Sequence, residues 1–253
     1  MRRAITLALA ILGGCAQPLP PVSAAEAARP DAAPRWHAVL VAGDPSLEVW
    51  DRAVERMGAR LQASGRLASV RSFSARRDRV AAGAEPALRA PVLDAIANLR
   101  PGPGEACLVF MTMHGTQGRG LALATENSII SPALLDAALS RGCGRAPSFV
   151  IVSGCFTGDF ARAPMARPNR VVLTAARGDR SSFGCGAEFE YTVFDRCVLD
   201  ALDAGQPTPA ALAKAGNACV TREETRQRMS PPSEPQTSIG AEVARLVPRV
   251  SPR

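Results

Sequence analysis

Two histidines, His37 and His114, are all that 253 residues hold. There is one tyrosine, the single lysine is Lys214, and aromatics make up 4% of the chain. With so little imidazole, and no two cysteines at CxxC spacing, the usual ligand sets for zinc are missing, so no metal and no other cofactor is expected. The formal charge is +7, or +5 without Arg2 and Arg3, yet the arginines form no stripe interleaved with aromatics. A basic balance without such a patch does not make a nucleic-acid surface, and no nucleic-acid partner is expected. No apolar run approaches the roughly 18 residues that span a bilayer.

A short apolar run does open the chain. Arg2-Arg3 precede Ala4–Leu12, and the run closes on Leu12-Gly13-Gly14-Cys15. Small residues directly before a cysteine at that point resemble a bacterial lipobox, which implies cleavage before Cys15 and lipidation of its thiol. The alternative, an ordinary leader cut after Val22-Ser23-Ala24, places its site far beyond the apolar run. Ala16 follows the cysteine where an aspartate would suggest inner-membrane retention. The expectation is therefore a lipoprotein of the bacterial envelope, held at the membrane through Cys15, on the outer membrane facing the periplasm. Residues 1–14 are the signal peptide, the proline- and alanine-rich 15–35 a tether, and 36–253 the folded domain.

Within that domain apolar runs alternate with helical patterns. Ala38–Ala42 reads as a buried strand, followed by Asp44-Pro45 as helix cap and first helical residue. Leu47, Trp50, Val54, Met57 and Leu61 then recur at helical spacing up to Gly65. Ser69–Phe73 reads as a second strand, Ser74–Ala84 as loop and Ala87–Leu99 as helix. Ala106–Met113 and Phe149–Val152 are continuous apolar runs, the mark of strands buried on both faces. Gly118–Leu123 reads as a short hairpin strand, a helix starts at Ser131-Pro132, and Val171–Ala176 is a further strand. Helices follow over Tyr191–Ala204 and Pro207–Gln227, and Ser230–Gly240 is turn-rich. Alternation of this kind predicts an α/β fold: a mostly parallel sheet with helices on both faces.

Open parallel sheets hold their sites at the carboxyl ends of the strands. The run ending at Ser153-Gly154 delivers Cys155 to that edge, and the run ending at Met113 delivers His114-Gly115. A cysteine at a strand end is by itself most often a small core residue. Paired with the only histidine expected at the same edge, Cys155 becomes a candidate nucleophile and His114 its base, because a thiol needs a base to act at neutral pH. The backbone N–H groups of Gly115 and Cys155 would then face a developing oxyanion. His37, at the start of the domain, reads as structural or exposed, and Asp159 as a turn residue.

An apolar strand ending in His-Gly, and a second ending in two small residues and Cys, resembles the caspase–legumain clan of cysteine peptidases. Phe156-Thr157-Gly158 after the cysteine, Leu173-Thr174-Ala175-Ala176, Arg180–Cys185 (RSSFGC), and Pro232–Gln236 with Ile239-Gly240 resemble the bacterial branch of the legumain family, across roughly Trp36 to Gly240. The resemblance implies a caspase-like fold and a cysteine endopeptidase acting on peptides or proteins through a Cys155–His114 dyad and a thioester acyl-enzyme. A transamidase of the same chemistry, or an inactive peptide-binding envelope scaffold, are the alternatives. By position, Ser153, Ser182 and Asp195 are candidate substrate-binding residues. Ser153 stands where legumains carry an acidic residue, so asparagine specificity is not implied. Near Asp51-Arg52-Ala53 the family's histidine-orienting asparagine is absent, leaving Asp44 or Asp51 as candidate substitutes.

Besides Cys15 and Cys155 there are five cysteines, an odd number, so at least one has no intrachain partner. A pair among Cys185, Cys197 and Cys219 is expected, with Cys107 as a core thiol.

Overall fold

In a computed structural model of the protein, residues 33–246, 248 and 249 are described. The leader, the lipobox with Cys15 and most of the tether lie outside them. Strand β1 (Arg35–Ala42) leads to helix α1 (Val49–Ala63), then β2 (Leu67–Ser74), the short α2 (Arg77–Ala81), β3 (Glu85–Pro86) and α3 (Arg89–Ala97). Strand β4 (Glu105–Thr112) is followed by three short strands, β5 (Gly115–Thr116), β6 (Gly120–Leu123) and β7 (Ser128–Ile130), and by α4 (Pro132–Gly142). The chain ends with β8 (Ser148–Ser153), β9 (Arg170–Thr174), α5 (Val193–Asp203), α6 (Pro209–Gln227) and β10 (Gln236–Ile239).

Seven strands form one sheet in the order β10-β9-β8-β4-β1-β2-β3. All pairs are parallel except β10 with β9. Strands β5, β6 and β7 form a small antiparallel sheet of their own. Side chains alternate across each strand, so β4 feeds two cores. Leu108 and Phe110 pack with Phe149 and Ile151 of β8 and with Trp50 and Met57 of α1 and Phe194 of α5. Val109 and Met111 pack on the other face with Val150 and Val152, Ile96 of α3, and Leu135 and Leu139 of α4. Covering both faces is what makes β4 and β8 continuous apolar runs rather than alternating ones.

Several expectations shift. Helix α1 starts at Val49 rather than at Asp44-Pro45, because the Asp44 carboxylate accepts the Ser46 N–H at 2.8 Å and closes a local turn instead. Strand β1 begins at Arg35, and Ala33 before it is already buried. The loop over Ser74–Ala84 contains α2, and the turn-rich Ser230–Gly240 yields the edge strand β10. Cys197 and Cys219 are joined, tying α5 to α6 as a pair within the last third. Cys107 is not a core thiol: its side chain faces the α3–α4 layer and is bonded to Cys143 at the end of α4. These bridges close separations of 36 and 22 residues. In the chain-entropy model each stabilises by about 3–4 kcal/mol.

Candidate active site

Strands β4 and β8 are neighbours at the centre of the sheet, with Thr112 opposite Ser153. Their pairing runs one step further, the Met113 N–H donating to the Ser153 carbonyl at 3.1 Å. Then the two chains part. The His114 carbonyl accepts the Ala122 N–H of β6 at 2.8 Å. On the other side Phe156 takes a left-handed φ of 60°, and the Thr157 hydroxyl donates to the Gly154 carbonyl at 2.9 Å. This tight turn leaves Cys155 half-buried just past its strand.

Two glycines let these ends meet. A Cβ on Gly115 would lie 1.8 Å from the Cys155 carbonyl oxygen and 3.2 Å from its nitrogen. A Cβ on Gly154 would lie 2.6 Å from the Met113 carbonyl oxygen and 3.4 Å from the Gly115 nitrogen. The backbone following the histidine therefore touches the backbone carrying the thiol, and only residues without a side chain allow it.

His114 is exposed on one side, while its ring packs edge-on against Trp50 of α1, with ring centres 5.0 Å apart and planes at 71°. Among the described residues no side chain hydrogen-bonds its imidazole. Asp51 turns elsewhere: it is buried, accepts from the Ser74 hydroxyl at 2.5 Å and sits 3.9 Å from Arg76. Burial pushes its carboxyl above the ordinary range, against the pull of Ser74 and Arg76. Asp44 is engaged with Ser46. Neither candidate substitutes for the missing asparagine, and the imidazole is steadied by an indole. In the sequence Trp50 is indistinguishable from the rest of the α1 core stripe; its distinguishing signal is a place in the first turn of α1, at the sheet's carboxyl edge.

Ser182 reaches the thiol. Its N–H donates to Cys155 Sγ at 3.3 Å, and its hydroxyl and carbonyl oxygens lie 3.7 Å from the sulfur. The loop is pinned by the Phe156 N–H donating to the Arg180 carbonyl at 2.8 Å. Nearby Cys185 is free and half-buried, its thiol pushed up to about 12 by burial, with Cys155, Asp195 and Asp44 adding to the shift. Ser153 and Asp195 are covered from solvent beneath the strand ends. His37 stands at the opposite end of the sheet, its ring between Ser69 at 2.8 Å and Glu105 at 2.7 Å. Asp159 lies in a 3₁₀ turn, Thr157–Ala161, 4.0 Å from Arg162.

A thiol on a strand-end turn, an imidazole leaving the adjacent strand and two nearby backbone N–H groups are the kinds of group that nucleophilic acyl transfer requires. Residues 93–204, which span α3 to the end of α5 and include both His114 and Cys155, match the model of the Peptidase C13 family. Among solved structures the fold is similar to caspase-1 from Spodoptera frugiperda, with a TM-score of 0.58 at 10% identity, over 83% of this chain and 88% of that chain. No curated protein sequence matches. The architecture is thus caspase-like. Over residues 93–204 the chain is similar to the Peptidase C13 family, on a caspase-like fold.

Proposed function

We propose that the chain is an endopeptidase in which Cys155 and His114 act as a dyad. His114 takes the thiol proton and Cys155 Sγ attacks the carbonyl carbon of a peptide bond. The N–H groups of Gly115 and Cys155 meet the oxyanion. The imidazolium returns its proton to the leaving amine, and water, deprotonated by the same imidazole, hydrolyses the thioester. The observation that carries this is the backbone contact between Gly115 and Cys155, which sets the histidine's strand end against the thiol's. Ser182, touching the sulfur, lines the primary pocket in this reading.

A peptide bearing a thiol-reactive electrophile tests it. Wild-type protein is expected to be labelled at Cys155 stoichiometrically, and His114→Ala to be labelled at least about tenfold more slowly. Labelling at equal rates in both, or none on folded wild type, would reject the dyad.

The lipobox-like stretch extends the proposal to an envelope lipoprotein, anchored in the outer membrane through Cys15 and facing the periplasm. Cys15→Ala is expected to move the protein out of the membrane fraction or leave its leader uncut. Mature protein that begins after Ala24 and carries no lipid would refute the anchor.

A further inference from the structure

One buried carboxyl is bonded to the strand that carries His114, beside the strand that carries Cys155. Asp195 lies in the first turn of α5, where its N–H donates to the Thr192 hydroxyl at 3.1 Å. Its side chain points under the sheet's carboxyl edge, and Oδ2 accepts from the Thr112 hydroxyl at 2.6 Å. Thr112 is two residues before His114. Ser153, paired with Thr112 across the sheet, is two residues before Cys155. The Ser153 hydroxyl is near enough to lower the carboxyl's pKa, although Oδ1 has no hydrogen-bond partner. Thr112 and Asp195 are fully buried and Ser153 is 2% exposed.

This arrangement is costly. Burial raises the Asp195 carboxyl to about 6, and the groups pulling it back are hydroxyls: Thr112, Ser153 and Thr192. Cys155, Cys185 and His114 stand at the same edge, and no charged group figures among the causes of the Asp195 shift. A folded pKa above the unfolded value near 4 means the folded state holds the proton more tightly between pH 4 and 6. Stability from this group is therefore full below pH 4 and lost as the pH rises through about 6. A packing residue at this position gains nothing from ionising. What the carboxyl does supply is an acceptor for Thr112, whose cross-strand partner is Ser153, near where the backbone pairing between the two strands ends. The N-terminus of α5 favours its negative form.

We propose that Asp195 is a positioning residue, its carboxylate anchoring Thr112 opposite Ser153 and so fixing the two strand ends that carry His114 and Cys155. The inference rests on the dyad assignment above. It gives Asp195 a different task from lining a substrate pocket: the residue acts through Thr112 and Ser153, without touching the peptide.

The test compares Asp195→Asn, Thr112→Val and Ser153→Ala in the full chain, alone and in pairs. Asp195→Asn is expected to lower kcat by about 10–100-fold with KM within twofold, since a misplacement of about 1 Å costs up to 100-fold. The same variant is expected to melt above wild type at pH 8 and level with it at pH 4. A purely structural role predicts no such pairing of slower turnover with higher stability. Thr112→Val and Ser153→Ala should each slow kcat, and each should add less than threefold on top of Asp195→Asn. A KM raised tenfold at unchanged kcat would assign Asp195 to the substrate pocket and overturn the proposal, as would an unchanged kcat. Should Asp195→Asn not fold, the two hydroxyl variants decide: their effects on kcat must combine non-additively, and additive effects reject the bridge. Alkylation of Cys155 by iodoacetamide supplies a readout that needs no peptide. Its rate at pH 7 is expected to fall at least fivefold in Asp195→Asn, and an unchanged rate counts against positioning. If wild type cleaves nothing, the peptidase reading fails while the alkylation rates still judge Asp195.

Discussion

Cys155→Ala and His114→Ala are each expected to lower kcat by at least about 10³-fold, with the double variant hardly worse than either. Residues serving one proton transfer and attack step fail as a unit, so their losses do not add. Both sit where central neighbouring strands leave the sheet, and the structure offers no second imidazole there. His37 lies at the far end of β1, paired with Ser69 and Glu105. His37→Ala should therefore stay within a few-fold of wild type in activity. Cys155→Ser should keep the fold, since the site is half-buried and the swap changes little volume, yet cleave far more slowly, because a hydroxyl is much harder to ionise than a thiol. A mixed peptide library, digested by wild type and these five variants and read by mass spectrometry, makes the comparison. Cleavage by Cys155→Ser at the wild-type rate, or a dead His37→Ala beside an active His114→Ala, would break the assignment.

How much of this the sequence shows depends on the range of the interaction behind each feature. The β4 and β8 runs are legible because burial on both faces removes alternation over six to eight consecutive residues. Their termination in His114-Gly115 and Gly154-Cys155 is a local signal too. That β4 and β8 are neighbours is not local, since it follows from how the helices pack on each face. Strand β10 is hidden for a related reason: its residues pair with β9 while prolines and serines before it read as turn. The Cys107–Cys143 bridge depends on α4 lying over the face to which Cys107 points, which no spacing reveals. Trp50 and Asp195 illustrate the limit at the site. Trp50 reads as one more core residue of α1, and Asp195 reads by position as a candidate substrate-binding residue, with nothing to tie it to Thr112. Their meaning comes from what lies across the sheet edge, His114 for one and Thr112 for the other.

Gly115→Ala is expected to cost about 100-fold or more in kcat while the protein stays folded. The added methyl would fall 1.8 Å from the Cys155 carbonyl oxygen and 2.9 Å from its carbonyl carbon, well inside any tolerable contact. The obstacle is backbone, not the end of a flexible side chain, so relief requires one strand end to move. On one side the histidine's carbonyl is held by Ala122. On the other, the turn after Cys155 is held through Phe156 and Arg180. A shift of about 1 Å in either misaligns thiol, imidazole and the two N–H groups at once, and the loss of a single oxyanion donor already costs about 10²–10³-fold. Gly58→Ala is the matched control. It lies inside α1, where a Cβ would meet Leu40 Cδ1 at 3.5 Å, an ordinary contact. Alanine there should raise stability by up to about 1 kcal/mol through helix propensity and leave kcat within twofold. Thermal melts and kcat for both variants complete the comparison. A Gly115→Ala protein that melts like wild type and cleaves within threefold of it would mean that the close approach of the two strand ends does not set the geometry of the reaction.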